Sequence, residues 1–286
     1  MPSLIDLRRR IRSVKNTQQV TKAMKMVSAA KLRRAQDRVI AARPYAAVFR
    51  QVLADVAAAA ANEQDAGTHP LLARRPENRV LLVLLTADRG LAGAFNSNLL
   101  RTSNQFIAGR ETGSTSLAIV GRKGRDFWRK RGGNILIERT GIGEKVTYEQ
   151  AAEIAKEISG SFEREEVDAV YLLYNEFKSV VSQKLTLQRV LPVEPPQQRQ
   201  EQNYIFEQPP EQLIGGLLAR YVDIAVYQAL LESAASEQAA RMTAMEAATS
   251  NAGEMIEKLT LYMNRVRQAS ITKELIEVVS GAAAAS

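Results

Sequence analysis

From about residue 211 to 280 this chain holds no proline, and apolar side chains recur there at alternating intervals of three and four. That pattern is the seam of a coiled coil. At about 1.5 Å per residue, a helix of this length spans on the order of 100 Å. Such a helix cannot bury its stripe inside a compact globule, so it needs another helix or a partner. The stripe opens with Leu217, Tyr221, Ile224 or Ala225, Gln228 and Leu231. Met242, Met245, Thr249, Ala252, Ile256, Leu259, Met263 and Val266 then hold the spacing strictly. Small residues crowd it (Ala234, Ala235, Ala239, Ala240, Ala247, Ala248, Ala252, Gly253), which permits close helix contact. Gly281, ahead of an alanine tail, is the expected C-cap.

The other end of the chain reads the same way. Ser3 and Asp6 form a capping pair that satisfies the first orphan N–H groups. Leu4, Leu7, Ile11 and Val14 start a seam, and Leu32, Ala35, Val39, Ala42, Ala46, Phe49, Leu53 and Val56 resume it in phase. Between these blocks the same positions are Gln18, Thr21, Lys25 and Ser28, while the apolar residues are Val20, Met24 and Val27. A stripe that moves around the helix predicts a local change of supercoil or of partner. Pro44 is expected to kink the helix or end it.

Between these helices the code changes. A fully apolar run at 80–85, bounded by Asn78 and an Asp88-Arg-Gly turn, reads as a buried parallel strand. Helices at about 95–109, 125–130 and 148–160 alternate with strands at 117–120, 135–138 and 169–174 and a β-rich run at 180–190. Alternation of this kind means a parallel or mixed sheet flanked by helices. Polar or Pro-rich connectors at 62–78 and 192–210 join it to the long helices. The expected fold is therefore α with α/β: a long antiparallel two-helix coiled coil formed by both chain ends plus a central Rossmann-like α/β domain. The segments are 1–61 for the N-terminal helix, 79–195 for the central domain and 211–286 for the C-terminal helix.

Composition removes several chemistries. Cysteine is absent, so there is no thiolate nucleophile, disulfide or Cys-based metal site. His69 is the one histidine, beside Pro70 in a polar stretch, and is expected to be solvated surface. The loop from Thr86 to Asn96 (Thr-Ala-Asp-Arg-Gly-Leu-Ala-Gly-Ala-Phe-Asn) is the best candidate for an active site, because Gly90 and Gly93 follow a strand. It matches neither GxGxxG nor GxxxxGK[ST], and Gly121-Arg-Lys-Gly124 also lacks phosphate-loop spacing. Glycines easing tight turns are the better reading of both. Asp88 and Arg89 are most simply a surface ion pair. The expectation is no catalytic residue, no cofactor site and no metal site.

Charge is unevenly placed. Residues 1–43 hold twelve Lys or Arg against Asp6 and Asp37, a net +10 in a chain whose total is +8. Such a helix suits phosphates, anionic lipid or an acidic protein surface, and charge alone does not choose. Nucleic-acid binding by a basic coiled coil is the alternative reading, although aromatic residues are not interleaved with the basic ones as stacking platforms. No stretch of about 18 uninterrupted apolar residues exists, so no membrane span is expected. The opening turns basic without the apolar core of a signal peptide, pointing to the cytoplasm.

The run from Ile11 to Val27 (Ile-Arg-Ser-Val-Lys-Asn-Thr-Gln-Gln-Val-Thr-Lys-Ala-Met-Lys-Met-Val), continuing Ser-Ala-Ala-Lys-Leu-Arg, resembles the opening helix of the γ subunits of F-type ATP synthases. The runs from Ser236 to Thr249 and from Arg267 to Gly281 are similar to the family's closing helix, and Asp88-Arg-Gly-Leu-Ala-Gly to its central loop. The resemblance spans the whole chain. It implies a non-catalytic rotor shaft, peripheral on the cytoplasmic face of a bacterial plasma membrane, coupling ATP synthesis to proton flow. Its implied partners are the hexamer of α and β subunits, ε and the membrane c-ring, with no nucleic acid. It also implies rotor–stator contacts at Lys22, Met24 and Lys25, polar contacts at Arg267, Gln268 and Thr272, and an apolar bearing around the tail with Leu275, Val278 and Val279. Photosynthetic members carry an insertion, in plants with a cysteine pair. The lack of both here excludes thiol regulation and points to a non-photosynthetic bacterium. Ala92 stands where the family often has a small residue or cysteine.

Overall fold

A computed structural model describes residues 3–60, 69–111, 113–194 and 210–285. The connectors expected at 62–78 and 192–210 lie partly outside these residues. The chain forms two compact units, residues 29–241 and residues 1–28 with 242–286.

The larger unit is built on a five-stranded sheet ordered β3-β2-β1-β4-β5. Its strands are β1 (Val80–Leu85), β2 (Thr115–Val120), β3 (Ile135–Arg139), β4 (Ala169–Phe177) and β5 (Gln183–Leu191). The first four run parallel and β5 returns antiparallel to β4, so the sheet is mixed, as the alternation predicts. Every residue of β1 is buried, which explains why that strand reads as an uninterrupted apolar run rather than an alternating one. The parallel strands are linked by α2 (Phe95–Ala108), α3 (Arg122–Arg129) and α4 (Tyr148–Glu163). Leu82, Leu84, Leu117, Ile119 and Leu173 pack with Phe95, Leu99 and Trp128 of α2 and α3. The alternating side chains of β1 (Leu81, Val83, Leu85) point to the other face of the sheet. Thr147 and Gln150 close a capping box on α4: Gln150 N donates to Thr147 Oγ1 (3.4 Å) and Thr147 N to Gln150 Oε1 (3.2 Å).

Two long helices enter this unit, α1 (Leu4–Ala60) and α5 (Pro210–Ala285). Here α1 buries Leu32, Val39, Ala46, Leu53 and Val56, the predicted seam. Pro44 does not end the helix. An interior proline costs one backbone hydrogen bond, and side-chain anchors beside it hold the chain helical. Arg43 is bonded to Glu232 and to the Phe177 carbonyl, and Ala46 is buried. The α5 segment is more deeply buried than its predicted stripe suggests. Leu218, Val222 and Val226 are fully buried, while Leu217, Tyr221 and Gln228 are only half-buried. The deeper stripe continues through Ser236, whose hydroxyl donates to the Asn175 carbonyl of β4 (2.9 Å), and Ala240, which packs on the sheet core. Sequence periodicity therefore captured one face of a helix that is buried on two. By length and hydropathy alone, α5 contains a window apolar enough to cross a bilayer, 39% of which is buried within the protein.

In the smaller unit, Ser3 and Asp6 cap α1 as expected: Asp6 N donates to Ser3 Oγ (3.2 Å) and Ser3 N to Asp6 Oδ2 (3.3 Å). On α5, Met242, Met245, Thr249, Ala252, Ile256, Leu259, Met263 and Val266 are all buried or half-buried, and their flanking residues are mostly exposed. The predicted phase shift on α1 is not present. Thr21 and Ser28 are buried, whereas Val20 and Val27 are 58% and 56% exposed. The seam keeps its register and becomes polar, because the polar groups find partners across it. Gln18 Nε2 donates to the Thr249 carbonyl (3.4 Å), and the Thr21 and Thr249 hydroxyls lie 2.8 Å apart. Nor does Gly281 cap α5, which runs to Ala285. Alanine, the strongest helix former, follows that glycine and offsets its cost of about 1 kcal/mol.

Candidate functional site

In an open α/β sheet, ligands bind at the carboxyl ends of the strands where the strand order reverses. Here that crevice lies between β1 and β4, and the loop from Thr86 to Asn96 leaves β1 at its rim. Thr86 Oγ1 receives the Gly124 N–H (2.9 Å) and donates to the Val120 carbonyl (3.0 Å), drawing the start of α3 onto β1. Gly121 has φ +99°, and a Cβ there would lie 2.0 Å from the Thr86 carbonyl oxygen. The Gly121–Gly124 pair is thus a packing device, and Gly121 is the glycine the backbone requires. Gly90 is not constrained in this way: a Cβ would meet only Lys123 at 3.7 Å.

Asp88 is committed to structure. Its Oδ1 accepts from Arg122 N (3.1 Å) and its Oδ2 from Gly141 N (2.9 Å), with the Arg122 guanidinium at 3.8 Å. The expected Asp88–Arg89 pair is replaced by these bonds, because the loop turns the carboxylate back over the α3 N-terminus, where a negative charge is favoured.

The crevice itself is filled by α5. The space left between Thr86, Asp88, Gly121, Ser233, Ala234 and Glu237 is about 20 Å³, against roughly 300 Å³ or more for a small-molecule site. Glu237 and Arg241 pair one helical turn apart (2.6 Å), and Arg241 reaches the Gly90 carbonyl (3.3 Å). Burial pushes the Glu237 carboxyl up from its ordinary value; Arg241 and, more weakly, Lys31 oppose the rise, and Asp88 adds to it. In a nucleotide-binding fold phosphates would occupy this place. Here the chain's own helix does.

His69 is not free surface. It is half-buried, its Nδ1 accepts the Leu71 N–H (3.2 Å), and it caps the 3-10 turn Pro70–Leu72. Among the described residues no group of three acidic or histidine side chains could hold a metal ion.

The rotor–stator candidates lie in the smaller unit. Lys22 is exposed, Met24 half-buried, and Lys25 half-buried with Nζ donating to Glu246 Oε1 (2.6 Å). Only Lys22 of the three faces wholly outward, because Lys25 holds a seam position and turns to the opposite helix. The pairs Gln18–Thr249, Thr21–Thr249 and Lys25–Glu246 set an antiparallel register. Carried back one residue for one residue, it places Leu4 opposite about Met263 to Arg267. Among the described residues the register leaves no α1 beside α5 beyond that point, and residues 271–280 are all exposed. Arg267, Gln268 and Thr272 are exposed, and Leu275, Val278 and Val279 are 61%, 70% and 67% exposed. Thr272 Oγ1 donates to the Gln268 carbonyl (2.9 Å), so its hydroxyl proton is already used within the helix. The sequence also contains Ile271 and Ile276, 46% and 61% exposed, as part of the same apolar end. Ile276 falls within the tail of the implied bearing, whereas Ile271 is not marked by a three–four spacing that stops at Val266.

Long paired chain ends and an α/β unit whose crevice is filled by its own helix are the parts of a stalk protein. The family model described as ATP synthase matches residues 3–285. The chain is 65% identical over 285 residues, covering 100% of both chains, to the ATP synthase gamma chain of Solibacter usitatus. It is 52% identical, with 99% of each chain covered, to that of Desulfitobacterium hafniense. Among solved structures it is similar to a chain of the central stalk and c-ring of Tetrahymena thermophila mitochondrial ATP synthase, at TM-score 0.65 and 28% identity, covering 80% of this chain and 99% of that one. A chain of the Euglena gracilis mitochondrial enzyme, at TM-score 0.71 and 20% identity over 98% of this chain and 94% of that one, shares the fold. The chain belongs to the ATP synthase gamma-chain family. It is a non-catalytic central rotor subunit, and this membership decides against the nucleic-acid alternative.

Proposed function

We propose that the smaller unit turns inside a ring of alternating α and β subunits, with the α5 end as the bearing and Lys22, Met24, Lys25, Arg267, Gln268 and Thr272 as intermittent contacts. The observation that carries this reading is the set of exposed apolar residues Ile271, Leu275, Ile276, Val278 and Val279 on the end of α5, where the register leaves no α1 beside it among the described residues. Five large apolar side chains exposed within nine residues are a candidate interaction site. The rest of the chain sits on the c-ring with ε, peripheral on the cytoplasmic face of the plasma membrane, and passes torque to the catalytic β subunits. ATP synthesis and proton flow are thereby coupled without chemistry in this chain. A shaft must not bond too well at one angle, because each strong contact is a well in the rotational energy. Hydrogen bonds of about 0.5–1.5 kcal/mol, up to about 3 with charged groups, suit contacts made and broken each turn.

The test is Gln268→Leu and Thr272→Val in complexes reconstituted into vesicles, measuring synthesis against proton pumping. The expected outcome is intact assembly with lowered coupled synthesis. Gln268→Leu should have the larger effect, since the Thr272 hydroxyl is engaged within its own helix. Deleting the tail after Ser280 should matter less. Unchanged rates in both variants, with loss on tail deletion, would move the contact to the tail.

A further inference from the structure

We propose that Arg43 and Glu232 form the key that locks both shaft helices to the sheet, so that torque enters α1 and α5 together. This rests on the rotor reading above. Glu232 is 1% exposed, an unusual place for a carboxylate unless it is fully partnered. It accepts from Arg43 Nε (3.0 Å) and Nη2 (3.2 Å), joining α5 to α1 by a two-pronged guanidinium–carboxylate bond. Its Oε2 also accepts the Phe177 N–H (3.0 Å) at the end of β4. Arg43 closes the triangle by donating from Nη2 to the Phe177 carbonyl (2.9 Å). Three elements distant in sequence thus share one node, in which both prongs of the guanidinium and both carboxylate oxygens are used.

The surroundings explain why a key is needed here. Pro44 follows immediately, so α1 lacks an internal hydrogen bond where it would be asked to carry twist. The neighbouring seam residues Ala42 and Ala46 are small, and side chains of that size interlock poorly against sliding or rolling of one helix on the other. Apolar contacts are non-directional and tolerate such rolling, whereas a planar guanidinium on a carboxylate does not. Ser236, one turn along α5, adds a second bond to β4 at the Asn175 carbonyl (2.9 Å), so the carboxylate face of α5 is the side held by the sheet.

Arg43 and Glu232 are positioning residues, and their test must read stiffness rather than folding alone. The chain is assembled with α and β subunits, the ring is immobilised, and a bead is fixed to the α/β domain. Angular fluctuation during the wait for ATP then measures torsional stiffness. Glu232→Gln keeps the shape but removes the charge; Arg43→Lys keeps the charge but loses the fork. We expect each to widen the variance of bead angle about twofold or more, Arg43→Lys less than Glu232→Gln, with ATP turnover within about twofold of the unaltered complex. Glu166→Gln, which removes an exposed pair with Arg164 in the same unit, should leave the variance unchanged. Unaltered variance in both key variants overturns the proposal and leaves the rotor reading standing. An unaltered chain that supports no rotation would instead remove the rotor reading itself. If Glu232→Gln fails to assemble, Arg43→Lys alone decides.

Discussion

The sheet-containing unit and the paired helix ends solve opposite problems with the same residue types. In the first, the six side chains of β1 are at most 1% exposed, and charged groups that enter the interior, such as Glu232 and Asp168, arrive with their partners. In the second, the helix interface is narrow and partly polar, and Val20, Met26, Val27, Leu261 and Leu275 stand in the open. One unit specifies itself by burial. The other leaves surface unspent, which is stable only where a partner covers it. The difference suits a body that must keep its shape under load and a spindle that must turn.

The contrast breaks first, if it breaks, at glycine. A Cβ at Gly121 would strike backbone at 2.0 Å on a positive φ, whereas one at Gly253 would meet only the end of Gln18 at 3.1 Å. Gly121→Ala should therefore cost about 3–5 kcal/mol in urea unfolding of the sheet-containing unit, as strain and clash combine. Gly253→Ala should be neutral or stabilise by up to about 1 kcal/mol, through helix propensity. Equal effects would mean that the two units are packed alike.

Core truncation sharpens the same comparison. Leu82→Ala should cost about 2–5 kcal/mol, the usual cost of a fully buried leucine, and Val27→Ala less than about 0.5 kcal/mol in the isolated chain. The Val27 change should become visible only in the assembled complex, if its exposed face meets the ring.

Thr249→Val tests the polar seam. It should cost about 1 kcal/mol, because it removes a hydroxyl partner from the buried Thr21. Thr21 keeps its own bond to the Gln18 carbonyl (3.0 Å), so Thr21→Val in the same chain should recover only that part of the loss which comes from a buried hydroxyl without its partner across the helices. A double-mutant cycle of thermal unfolding reads the coupling, and additive losses would mean the pair contributes nothing.

The smallest effect is on pH. Burial works against ionisation of Asp168, but the Arg79 side chain and N–H (3.0 and 2.8 Å) outweigh it and hold the carboxyl below its ordinary 3.8. A depressed value in the folded state means the stabilisation is complete above 3.8 and is lost as pH falls through the folded value. Asp168→Asn should flatten that part of the acid-unfolding curve and leave the slope at neutral pH unchanged. An unaltered acid limb would assign the loss to other groups.

Much of the architecture was legible because periodicity is a local signal. Among the described residues the five strands and five α-helices lie where the apolar patterns put them, and the α5 seam from Met242 to Val266 appears position by position. The misreadings share a cause. Val20 and Val27 drew the seam away from Thr21 and Ser28 because hydrophobicity alone cannot show that a buried hydroxyl will find another across the interface. Pro44 does not end its helix and Gly281 does not cap α5, because side-chain anchors in the one case and neighbouring alanines in the other outweigh the local preference. The candidate contacts Arg267, Gln268, Thr272, Leu275, Val278 and Val279 came from resemblance to a family; the structure adds their exposure.

The chain by itself determined that its ends must pair, that its middle must form a mixed sheet, and that thiol chemistry has no place, since these follow from spacing and composition. Only the tertiary structure decided which groups meet: α5 in the crevice where a nucleotide would sit, Arg43 on Glu232 and Phe177, Thr21 on Thr249. Those contacts join residues far apart in sequence, and their energy depends on distance and burial in space, which no local pattern records.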